Sequence, residues 1–95
     1  RTTDAQAKFP DRWREVNGRK VWPVADFTLA EIQTLDAGSW FDPRFAGLRV
    51  PTFQQMLDAV RGKAGVIPET KAPDVYGRLG LDMEPRLMKV LADNG

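Results

Sequence analysis

Apolar side chains recur at Phe53, Met56, Leu57 and Val60, spaced i, i+3, i+4 and i+7. That stripe predicts an amphipathic helix, and Thr52 with Gln55 forms a capping box at its start. Gly62 ends it. A second stripe, Met83, Leu87, Val90 and Leu91, predicts another helix, with Asp82 as the expected cap and Asn94-Gly95 as the stop. Earlier in the chain, Thr28 and Glu31 make a capping box for Leu29, Ile32 and Leu35, a two-turn helix running to about Asp36. Between the later stripes the pattern changes. Val66-Ile67 is a short apolar run that leads into Glu69 and Lys71, and it predicts a strand. Pro68 removes one ladder donor there, so a shortened or bulged strand is expected. Residues 72–80, with Pro73, Gly77 and Gly80, read as a loop.

The first part of the chain, up to about Val24, is more irregular. Ala5 to Arg14 holds room for a short helix, interrupted by Pro10. Asn17-Gly18 is a turn dipeptide, expected to close a small hairpin onto Lys20–Val24, an edge strand because of Pro23. The second half therefore reads helix, strand, loop, helix. This is one βα unit behind a helix, the element order of a parallel α/β sheet. A single strand makes no sheet, so its neighbours are expected from further chain.

Composition narrows the function classes. The chain has 95 residues, 42% hydrophobic and 28% charged, which fits a globular segment rather than a disordered one. Its net charge of +1 gives no electrostatic reason to expect nucleic acid or an anionic membrane as partner. It has no cysteine, which excludes disulfides and thiolate metal sites, and no histidine, which excludes imidazole acid–base chemistry by this chain alone. No apolar run reaches the length of a membrane span, and no signal peptide is visible. The sequence opens on Arg1 rather than Met, so an upstream region is expected.

The candidate chemistry sits at Glu69 and Lys71. Alternation along a strand would point both side chains to one face. A hard oxygen ligand beside a fixed positive charge suits a divalent metal and a phosphate together. The same pair also reads as a solvated strand end carrying a surface ion pair, a common and weak arrangement. Trp40 and Phe41 read either as core or as the wall of a pocket. Arg12, Arg14, Arg19 and Lys20 form a loose basic cluster that reads as a solvated face.

Several stretches resemble one family. Arg1-Thr2-Thr3 is similar to the end of an "HD..L.RTT" stretch, Phe27–Ile32 to an "FTL.EI" helix start, Leu35–Phe41 to "LDAGSWF", and Val50–Phe53 to "IPTLEE". Glu69-Thr70-Lys71 stands where that family carries Glu-x-Lys. In this order and spacing, the chain resembles the glycerophosphodiester phosphodiesterases. The resemblance implies an α/β fold, part of a TIM (β/α)8 barrel with a small, mostly irregular and helical insertion after strand 2. Residues 1–48 would be that insertion. Residues 49–95 would be helix 2, strand 3 and helix 3, so the chain would make up roughly a third of a barrel of about 250 residues.

The implied activity is hydrolysis of glycerophosphodiesters to sn-glycerol 3-phosphate and an alcohol, with Mg²⁺ or Ca²⁺ as cofactor. Family histidines in "HRG" and "HD" motifs and a Glu-x-Asp pair are absent from this chain, which thus carries no catalytic residue and is expected to be inactive alone. What carries over is Glu69 as metal ligand and Lys71 as phosphate-facing cation, with Trp40 and Phe41 bordering the glycerol pocket. Arg1 is a further candidate for holding phosphate. Asp74, Tyr76 and Arg78 would lie in a loop facing the active site. The expected partners are the small-molecule substrate and the remainder of the chain's own barrel. Phe9–Arg12 and the loop after Lys71 resemble the longer, periplasmic branch, which favours a periplasmic or secreted protein over a cytoplasmic one. The competing reading is a non-catalytic binding or assembly module derived from the same fold.

Overall fold

The computed structural model describes residues 2–95, so the phosphate role expected of Arg1 lies outside the described residues. The chain forms two compact units, one ending at Pro51 and the other running from Thr52 to Gly95.

The first unit opens with a one-turn helix α1 (Ala5–Lys8) and an antiparallel hairpin of β1 (Arg14–Val16) and β2 (Arg19–Val21). Arg14 faces Val21, Glu15 faces Lys20 and Val16 faces Arg19. The connecting Asn17 and Gly18 both take positive φ, +51° and +73°. Asn and Gly tolerate that region best, and its twist matches the twist of the strands. A 3-10 turn (Val24–Asp26) leads to α2 (Leu29–Ile32), where both arms of the Thr28–Glu31 capping box form. The helix is shorter than the stripe predicts. Thr34 bonds back to the Glu31 carbonyl, and the chain then turns into a loop held by Asp36.

Arg12 ties this unit together. Its guanidinium pairs with Glu31 at 2.8 Å, donates to the Asp26 carbonyl and lies 4.6 Å from the centre of the Phe27 ring, which itself packs on Phe9. Arg14 grips both oxygens of Asp26, at 2.7 and 2.5 Å. Lys20 sits over the Trp13 ring. Three members of the basic cluster are thus engaged within the unit itself.

The second unit holds α3 (Phe53–Val60), α4 (Pro73–Arg78) and α5 (Glu84–Asn94). On α3 the half-buried positions are the predicted stripe, Phe53, Met56, Leu57 and Val60, and the Thr52–Gln55 capping box is complete. On α5 they are Leu87, Val90, Leu91 and Asn94. The two helices are joined by a reciprocal amide pair, Gln54 with Asn94, at 2.8 Å each way, and Arg61 adds a third bond to Asn94.

Three expectations differ in this unit. Residues 64–70 have no regular structure, so the strand expected around Val66-Ile67 is not formed among the described residues. A strand is held by its neighbours' backbone groups, and none lie alongside; the only sheet among the described residues is the β1–β2 hairpin. The predicted loop at 72–80 instead contains α4, started by Pro73 in the first turn and braced by an Arg78–Asp74 pair at i, i+4. The cap of α5 is Met83, without a side-chain bond, and not Asp82.

Burial is thin throughout. Leu35, 6% exposed, is the one buried hydrophobic side chain among the described residues. A compact chain of this mass would expose about 5,500 Å², and two separate compact bodies of half the mass about 6,600 Å². This chain exposes 7507 Å². Much apolar surface is therefore left without cover, Ile67 being 99% exposed.

Candidate functional site

The segment Leu35–Leu48 is organised by one carboxylate. Asp36 Oδ1 accepts the backbone N–H groups of Gly38 and Ser39, each at 2.9 Å. Its Oδ2 accepts the Ser39 hydroxyl at 2.7 Å and the Gly47 N–H at 3.0 Å. Bonds from Ser39 first, then from Gly47 and Gly38, hold its carboxyl well below the ordinary 3.8. Gly38 is required here by contact: a Cβ would stand 1.9 Å from the Phe45 carbonyl oxygen. The loop is closed at its ends by Ala37 N–H on the Leu48 carbonyl and by Asp36 N–H on Asp4 Oδ1.

This loop presents Trp40 and Phe41. The Trp40 indole donates to the Ala37 carbonyl at 2.9 Å and meets Phe41 edge-on, with ring centres 5.7 Å apart. Both stay largely exposed, 58% and 70%. Trp40 forms one wall of an open pocket of about 230 Å³ whose other lining residues are Thr3, Asp4, Asp36 and Ser39. Phe41 is not part of that lining and stacks instead towards Phe45 at 5.9 Å. Asp36, Asp4 and Ser39 were not singled out from the sequence as pocket residues. The available signal was the Asp-x-Gly-Ser order, in which an aspartate bonds the backbone two and three residues on.

In the other unit, Glu69 and Lys71 meet directly. Lys71 Nζ lies 2.6 Å from Glu69 Oε1, with the side chains 79% and 71% exposed. The pair is a surface ion pair in a segment without regular secondary structure. Glu69 offers one unburied carboxylate, which fits a single position in the oxygen shell of Mg²⁺ or Ca²⁺. Among the described residues no three His, Cys, Asp or Glu side chains converge to complete such a shell. Asp74 and Arg78, expected in an active-site loop, pair with each other on α4.

The family model described as "Glycerophosphoryl diester phosphodiesterase family" matches residues 1–94. The chain belongs to this family. A glycerophosphodiester phosphodiesterase of Bacillus subtilis is 46% identical over 61 residues, covering 56% of this chain and 21% of the relative. One of Haemophilus influenzae is 33% identical across 98% of this chain and 31% of the relative. A putative one of Bacillus subtilis, YhdW, is 50% identical over 48 residues, half of this chain and 20% of the relative. The chain thus spans about a fifth to a third of the length of these three relatives. No solved structure matches it. The family implies a TIM barrel, and the small hairpin and helices seen here are consistent with a piece of one. No helix is long and apolar enough to cross a membrane, among the described residues.

Proposed function

We propose that the protein containing this chain hydrolyses glycerophosphodiesters to sn-glycerol 3-phosphate and an alcohol, and that this stretch supplies part of the site. The family match across residues 1–94 is the observation that carries the reading. Glu69 is one carboxylate ligand of a divalent Mg²⁺ or Ca²⁺, and Lys71 is a cation directed at the phosphate. Trp40 borders the pocket for the glycerol moiety, and Phe41 packs edge-on against it. When bound, the metal neutralises phosphodiester charge and polarises a phosphoryl oxygen.

Lys71 has three ammonium donors, so it can hold a phosphate oxygen while keeping one bond to Glu69. Its role is to bind and orient an anion. The proton transfers have no imidazole to serve them in this chain, so the isolated chain is inactive and functions with the remainder of its own barrel. The uncovered apolar surface, Ile67 above all, supports that partnership. It also gives a specific footing to a second reading, a non-catalytic assembly module. Reading the coding sequence upstream of Arg1 separates the two. His-Arg-Gly, Glu-x-Asp and His-Asp motifs support the hydrolase, and their absence the module.

In the intact protein, Glu69→Ala should lower glycerophosphocholine turnover by about 100-fold or more, since losing an outer-shell partner of a ligand alone costs roughly 10–100-fold, and should weaken divalent-metal binding measured by calorimetry. Lys71→Met should raise KM or lower kcat. Near-normal activity and metal affinity in Glu69→Ala would reject the assignment.

A further inference from the structure

Trp40 lines the pocket from a loop folded around one carboxylate. Four bonds converge on the Asp36 carboxylate from residues 38, 39 and 47, on both sides of Trp40. The indole is then tied at Nε1 to Ala37, the residue after Asp36. Gly38 packs so closely on the Phe45 carbonyl that a side chain there would not fit. We propose that Asp36 is a positioning residue: its carboxylate folds the loop that sets the Trp40 indole as a wall of the pocket, and it affects substrate binding through Trp40.

Asp36 itself has little to offer a ligand, since both oxygens are already occupied by donors of its own loop. The inference rests on Trp40 bordering the substrate pocket, as proposed above. A role confined to general stability would leave the effects of Asp36 and Trp40 independent. A positioning role makes them overlap.

The test is a double-mutant cycle in the intact enzyme with glycerophosphocholine. Asp36→Asn keeps size but turns an amide N–H towards a donor of the loop. It should raise KM about tenfold, the effect of losing one charged hydrogen bond, and leave kcat within about twofold. Trp40→Leu should raise KM similarly, and the double variant should be no worse than Trp40→Leu. Effects that multiply, or an unchanged KM in Asp36→Asn, overturn the proposal. Where the Asn variant does not fold, Asp36→Glu, one methylene longer with charge kept, should move KM the same way; no change overturns it.

The same proteins carrying 5-fluorotryptophan give a readout that needs no turnover. The Trp40 fluorine resonance, assigned by its loss in Trp40→Leu, should shift in Asp36→Asn while those of Trp13 and Trp22 stay. A stationary Trp40 signal overturns the proposal. An inactive wild type with a shifted Trp40 signal would overturn the phosphodiesterase reading, while Asp36 would still be shown to set the indole.

Discussion

At the residue scale, the fold of the first unit depends on a few side chains that satisfy several groups each. Glu31 accepts from Arg12, caps α2 through the Thr28 N–H, and has its carboxyl lowered to about 2, chiefly by Arg12 and then by Thr28. A carboxyl lowered on folding contributes stability that is complete above its ordinary value of 4.5 and is lost as the pH falls towards 2. The intact wild-type protein should therefore unfold at a higher temperature than its Glu31→Gln variant at pH 6, and the gap should close by pH 2. A gap that stays constant or widens with acid, in thermal melts across that range, would count against this account. The exposed site keeps the effect small.

At the element scale, local chemistry was legible in the sequence and long-range pairing was not. The two capping boxes, the Asn17-Gly18 turn and the stripe on α3 depend on residues within a turn or two of each other, and each formed where it was read. The strand at 66–71 depends on neighbours that these residues do not contain. Helix α4 was hidden by Pro73 and Gly77, which act as breakers inside an element but are tolerated in a first turn and a short helix. For the candidate site, the Glu-x-Lys pair was legible by resemblance. The Asp36 loop was quoted only as a motif, because four bonds from both sides of a loop leave no periodic trace. One strained link remains in α4. Ala72, its N-terminal flanking residue, takes φ +48° and ψ +52°, the left-handed region that costs a non-glycine residue about 1 kcal/mol. Ala72→Gly should raise stability by about 0.5 kcal/mol, after the loss to unfolded-chain entropy. Denaturant titration of the intact protein would show it as a higher midpoint at unchanged slope. A lower midpoint would mean that Ala72 is not strained.

At the scale of the whole molecule, one buried hydrophobic side chain among the described residues and a surface well above that of compact bodies set the expectation. The 95-residue chain on its own should bind a hydrophobic dye such as ANS and melt over a broad range, without a sharp cooperative transition. Mixing it with the remainder of the proposed barrel should suppress the dye signal. A sharp transition with no dye binding would show that the chain needs no partner.

The capping box of α3 has a consequence for how such a chain tolerates being divided. Thr52 begins the second unit, and its own N–H and hydroxyl are both satisfied by Gln55, inside that unit. The helix start is therefore capped from within its own unit. Pro51, next door, has no backbone N–H to lose and is exposed. The border between the units is thus a natural suture. A nick or a loop spliced in at this point breaks no helix start and strands no donor, which makes it the place where the polypeptide best accepts interruption.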